Sequence, residues 1–209
     1  MARPTAPLRL FGFPLSGHAH RARLFLSLLD LPFEETAVDL AKGAQKQPEF
    51  LARNVFGKVP VLEDGPLTIA DSNAILVYLA TKYDDARRWL PTAPEAQAAV
   101  QRWLSIAAGP LAYGPAAARV SEVFGAPRNA AHLDTAADLF TTMERHLEGR
   151  EWLAAGHATI ADIAMYTYTS HAPEGRISLD PYPRLRAWLS RVEALPRFVP
   201  MARTPIKGA

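Results

Sequence analysis

The chain has 209 residues, 49% of them hydrophobic, and a formal net charge of +2. That length suits one large domain or two small ones with a sizeable core. Its basic residues are scattered among acids with no basic stripe, which argues against a nucleic-acid partner. The absence of cysteine removes disulfides, thiolate metal sites and chemistry at a protein thiol. No apolar run reaches the ~18 residues needed to span a bilayer. No leader pattern opens the chain, so the expectation is a soluble cytoplasmic protein without membrane association.

The first part of the chain alternates strand-like and helix-like patterns. Leu8 to Phe13 reads as a short strand, stopped by Pro14 and Gly17. Ala22, Phe25, Leu26 and Leu29 then recur at i, i+3, i+4 and i+7, the signature of a helix with one apolar face. Pro32 ends it, and Phe33 to Leu40 reads as a second strand. A short helical piece is expected around Pro48 to Arg53, a third strand over Val59 to Glu63 and a fourth over Leu67 to Ala70. The turn Asp64-Gly65-Pro66 joins the last two as a hairpin. Ile75, Leu76 and Leu79 mark a helix that fades after Tyr83. The order βαβ then ββα needs a parallel pair with a right-handed crossover. It makes a thioredoxin-like half.

At Asp84 the composition shifts, and beyond it only helical patterns recur: Glu95 to Ala108, Ala130 to Leu147, Thr159 to Ser170 and Pro183 to Ala194. Gly109-Pro110 and Gly114-Pro115 interrupt or kink the first of these. The expected organisation is a thioredoxin-like domain over 1–83, a linker over 84–93 and an all-helical domain over 94–209. One helix start is sharp. Thr159-Ile160-Ala161-Asp162 forms a capping box, with Asp as the shorter variant of the usual Glu or Gln. Its role is foldability, and losing either residue should cost ~1 kcal/mol or more.

The residues with chemical potential cluster in the first half. Ser16, between the first strand and first helix, reads either as a turn or cap serine or as a hydroxyl that donates to a bound thiolate. A hydrogen bond to the charged form and the positive end of the helix both lower a thiol pKa. Gly57-Lys58-Val59-Pro60 places a proline at a strand entry, where it removes an amide from the ladder. Asp71-Ser72 opens a helix, and a serine there caps it while the free amides suit a carboxylate. His18 and His20 diverge by ~200° on a helix with no third ligand spaced nearby, so no metal site is expected. His20 is assigned to the surface or an interface.

In this order and spacing, Ser16, Val59-Pro60, Asp71-Ser72, the Thr159-x-x-Asp162 cap and the late helix from Pro183 resemble the glutathione S-transferase family. The resemblance covers roughly residues 8 to 200. Ser16 stands five residues before Arg21, similar to Zeta- and Theta-class members, with Gly17 and His18 where a Zeta chain carries further Ser and Cys. The family uses Tyr, Ser or Cys to activate the thiol. There is no Cys and the first tyrosine is Tyr78, which leaves Ser16.

The resemblance implies a cis bond before Pro60, with the Val59 backbone pairing the cysteinyl backbone of glutathione like an added strand. It implies Lys58, and in a second place Lys42, on the glycyl carboxylate. Ser72 would hold the γ-glutamyl carboxylate, Asp71 its ammonium, and His18 would line the thiol end. Tyr113 and Tyr166 are candidates for a hydrophobic second-substrate pocket between the halves. The implied protein is a detoxifying transferase. It would be a homodimer, with glutathione as co-substrate, a hydrophobic electrophile as second substrate, and no cofactor or metal. The alternatives are a glutathione-dependent disulfide or peroxide reductase and a non-catalytic binding or assembly module on the same scaffold.

Overall fold

The computed structural model describes residues 3–205. Its first half is a four-stranded sheet of order β2-β1-β3-β4, built from β1 (Leu8–Gly12), β2 (Phe33–Ala37), β3 (Val61–Asp64) and β4 (Leu67–Ala70). β1 pairs parallel with β2 through α1 (Gly17–Leu28), antiparallel with β3, and β3 antiparallel with β4. This is the expected βαβ–ββα order, completed by α2 (Pro48–Leu51) and α3 (Ser72–Tyr83). Three strands are shorter than their apolar runs imply. β1 stops at Gly12, β2 stops at Ala37, and β3 begins at Val61, after the cis bond Val59-Pro60.

Among the described residues every further element is helical. In order they are α4 (Pro94–Ala108), a π-helical turn over Ala112–Ala116, α5 (Ala117–Phe124), α6 (Ala130–His146), α7 (Ile160–Ser170), a 3-10 turn over Ala172–Gly175 and α8 (Pro183–Glu193). Gly109 ends α4 and Pro115 sits inside the π turn, so both Gly-Pro pairs break the helix where their missing amides demand it.

One apolar core joins the two halves. Phe25 and Leu26 of α1 and Ile75 and Leu79 of α3 pack with Trp103 of α4, Ile163 and Met165 of α7 and Trp188 of α8. All of α7 is buried, so it has no solvent face on which to place polar side chains, and each of them must find an internal partner. Its cap shows how. The Asp162 carboxylate accepts from Thr159 N (2.9 Å), Thr159 Oγ1 (3.2 Å), Leu153 N (3.0 Å) and Trp188 Nε1 (2.9 Å). The capping box therefore also clamps α8 and the segment entering α7.

Candidate active site

The site lies where the N-termini of α1 and α3 meet the end of the Gly57–Pro60 turn. Ser16 is the N-cap of α1 and its Oγ accepts from Ala19 N at 3.2 Å, so its own proton remains free to donate. The turn needs Gly57 at φ +57°. A Cβ there would also lie 2.7 Å from the Gln45 carbonyl oxygen. Buried Asn54 shapes the same turn, donating to the Lys58 carbonyl at 2.7 Å while accepting from Phe56 N at 3.1 Å. Sequence reasoning missed Asn54. Its signal is an amide side chain three residues before a glycine in a short polar loop.

At α3 the sequence expectation changes. Asp71, not Ser72, is the N-cap: its Oδ1 accepts from Asn73 N and Ala74 N at 2.8 and 3.0 Å. Ser72 is thereby released from capping and is buried, with its Oγ accepting from Arg21 at 2.8 Å and lying 3.3 Å from His18 Nδ1. Arg21 also donates to Asn73 Oδ1 at 2.8 Å. Burial pushes the Arg21 guanidinium down to about 10, and its Nε and second terminal nitrogen have no hydrogen-bond partner. Burial, aided by Arg21 and Lys58, holds His18 at about 3, so its ring is neutral at pH 7. With Nδ1 facing the Ser72 hydroxyl as acceptor, the ring proton resides on Nε2.

A cleft of about 580 Å³ opens over this arrangement, walled by His18, Lys58, Val59, Pro60, Asp71 and Ser72 from the first half and by Tyr113 from the π turn. The structure thus brings together most of the residues singled out from sequence. Ser16 stands at the α1 cap beside the cleft but is not part of its wall.

Three expectations need correction. Lys42 stays outside the cleft, its side chain 87% exposed and 3.5 Å from Asp39. His20 is not at a surface. It is buried, with Nδ1 2.9 Å from Thr167 Oγ1 and Nε2 2.8 Å from the Val199 carbonyl, and burial holds it at about 4. Tyr166 faces away from the cleft, donating to Glu193 at 2.9 Å and packing against Phe198.

The tyrosine of α7 that does reach the site is Tyr168. Two residues further on, it points ~200° away from Tyr166. Its ring lies against Gly17, where a Cβ would come within 2.7–3.0 Å of the ring carbons, and meets the His18 ring edge-on at 5.0 Å. Gly17 was the readable signal, a residue with no side chain at the first turn of a helix that another element crosses closely.

The chain is similar to known proteins along nearly its whole length. Residues 6–81 match the model of the glutathione S-transferase N-terminal domain, and residues 74–196 that of the C-terminal domain. The chain is 33% identical to glutathione S-transferase 3 of Zea mays over 92% of each chain. It is 30% identical to the disulfide-bond oxidoreductase YfcG of Escherichia coli (strain K12), over 88% of this chain and 89% of that one. A crystal structure of a glutathione S-transferase from Pseudomonas fluorescens superimposes with a TM-score of 0.88 at 34% identity, covering 94% of this chain and 99% of that one.

Proposed function

The chain belongs to the glutathione S-transferase family and is a glutathione transferase, and from that premise we propose that the cleft holds glutathione with its thiol at the N-terminus of α1 and Ser16 as the thiolate's hydrogen-bond donor. The observation that carries this reading is the convergence of two helix N-termini, those of α1 and α3, on one cleft bordered by the Val59 backbone. The γ-glutamyl carboxylate takes the Ser72 amide, which the Asp71 cap does not engage, and draws the Ser72 hydroxyl proton away from His18 Nδ1. Its ammonium takes Asp71 through Oδ2, since Oδ1 serves the cap. Lys58, exposed on the cleft wall, takes the glycyl carboxylate. Lys42 has no part in it.

The thiol gives its proton to solvent. The thiolate then attacks an electrophilic carbon, a C–S bond forms, and the leaving group departs with its bonding pair. An apolar pair at the cleft rim, Val55 and Phe56, is 79% and 75% exposed and supports a homodimer in which a second copy covers it. Among the described residues no helix is long and apolar enough to cross a membrane, in keeping with a cytoplasmic enzyme.

The similarity to YfcG favours a second reading, in which the bound thiolate attacks a disulfide. One sulfur then joins glutathione in a mixed disulfide and the other leaves as thiolate. A second glutathione resolves the product, since the protein has no cysteine.

Ser16→Ala tests the mechanism. It should raise the pKa of bound glutathione, followed by the thiolate ultraviolet band, with nearly unchanged affinity. The expected rate loss is about ten- to a hundredfold, the equivalent of ~1.5–3 kcal/mol for a hydrogen bond to a charged group. Titration curves identical to wild type would remove Ser16 from the mechanism. Comparing turnover on a halogenated aromatic electrophile and on a low-molecular-weight disulfide separates the two readings.

A further inference from the structure

The first amides of a helix have no backbone acceptor within it and usually take a cap, a water or an anion. At α1, Ser16 Oγ serves Ala19 N. The N–H groups of Gly17 and His18 act instead on the hydroxyl of Tyr168, brought in by α7 from the other half of the molecule, whose hydroxyl-bearing ring carbon would lie 2.7 Å from a Cβ on Gly17. A phenol oxygen that accepts from backbone amides keeps its own proton for another partner. Tyr168 is also placed to use it. With His18, Ala112, Ala116 and Val120 it lines a cavity of about 360 Å³. That cavity adjoins the main cleft, because His18 and Ala112 line both.

We propose that the Tyr168 hydroxyl is a second hydrogen-bond donor to the glutathione thiolate, acting beside Ser16 from the side on which the electrophile enters. The inference rests on the glutathione reading above. Burial raises the Tyr168 pKa, so the group is a neutral phenol at pH 7, as a donor must be. Two buried guanidinium groups, Arg21 and Arg119, act on it electrostatically. Arg119 is paired with Glu174 at 2.6 Å, while the hydrogen bonds of Arg21 go to neutral acceptors, Ser72 and Asn73, with the Asp71 charge acting on it only through space. A buried cation without a contact ion pair favours an anion near the hydroxyl. Arg119 also donates to the Leu15 carbonyl at 2.9 Å, one residue before Ser16, so the same helical half positions both donors. Tyrosine-based thiol activation, excluded when only the first half's tyrosines are considered, returns through the second.

The test compares wild type, Tyr168→Phe, Ser16→Ala and the double variant by thiolate titration of bound glutathione, with affinity from calorimetry. Tyr168→Phe keeps the ring against Gly17 and removes one oxygen. It should raise the bound thiol pKa by about one unit, a tenfold effect, while affinity for the protonated thiol stays within about threefold. The loss of kcat should shrink at high pH, where the thiolate forms unaided, and the double variant should exceed either single one. Tyr168→His, which restores an N–H donor on a ring, should recover part of the shift and guards against a packing defect. A Tyr168→Phe titration identical to wild type overturns the inference and leaves the glutathione site standing. Absence of glutathione binding to wild type overturns the site and the inference together.

Discussion

Two buried polar clusters hold this molecule together, and they are built on opposite principles. Around Asp162, both carboxylate oxygens are fully engaged by donors from α7, α8 and the entering segment. At the N-terminus of α1, Arg21 and Arg119 keep buried N–H groups with no hydrogen-bond partner, and of the two Arg119 alone makes a contact ion pair. Desolvated donors left unpaired are unfavourable, so the second cluster is arranged at the expense of stability, whereas the first supports it. The difference teaches where to look for chemistry. The saturated cluster is a structural clamp, and the unsaturated one lies beside the cleft proposed to hold glutathione.

The sharpest test of that contrast is Asp162→Ala, which strands the donors of Thr159, Leu153 and Trp188. A loss of about 3–5 kcal/mol is expected in urea unfolding. Glutathione affinity of the folded fraction should not change. A loss near the ~1 kcal/mol of an ordinary cap would break the comparison.

The next effect concerns His20, a satisfied group on α1 itself. Its folded pKa of about 4 lies below the unfolded value of 6.5. The unfolded chain therefore takes up the proton first. The stability tied to neutral His20 is full above pH 6.5 and is lost as pH falls towards 4, on the order of 2–3 kcal/mol. In His20→Gln the difference between unfolding free energies at pH 7 and pH 4.5 should shrink by about that amount. An unchanged difference would assign the acid sensitivity elsewhere.

Arg21→Met probes the unsaturated side. Stability should move by no more than ~1.5 kcal/mol, because a desolvated cation without an acid partner is removed while the apolar stem is kept. Glutathione affinity should drop about tenfold, ~1.4 kcal/mol, as Ser72 loses the donor that holds it. A large stability loss with intact affinity would make this cluster a second clamp. The smallest effect belongs to Lys42→Ala, where exposure and the Asp39 partner predict a change in affinity below about threefold. A tenfold loss by calorimetry would bring Lys42 back into the site.

Much of this was legible before any coordinates. Short apolar runs bounded by turn residues located the sheet, and helical apolar patterns located α1, α3, α4, α6, α7 and α8, because these patterns follow directly from backbone geometry. The Thr159-x-x-Asp162 spacing marked the start of α7, since a capping box needs only residues three apart. Val59-Pro60 and Asp71-Ser72 marked two walls of the cleft for the same reason, as each is a local backbone requirement.

What failed was always a question of facing. Asp71 rather than Ser72 caps α3, because Arg21, from another helix, holds the serine. The sequence left His20 at the surface or an interface, because its neighbours Thr167 and Val199 are far along the chain. The sequence points to Tyr166 and passes over Tyr168, because a helix buried on all sides has no amphipathic stripe to show which residue points where. Local spacing is written in the sequence, and so the elements, the cap and the turn were determined by it. Which buried polar side chains meet across the two halves depends on how α7 is rotated against α1, and packing of the shared core sets that rotation. Only the tertiary structure decided that a tyrosine from the helical half stands at the N-terminus of α1.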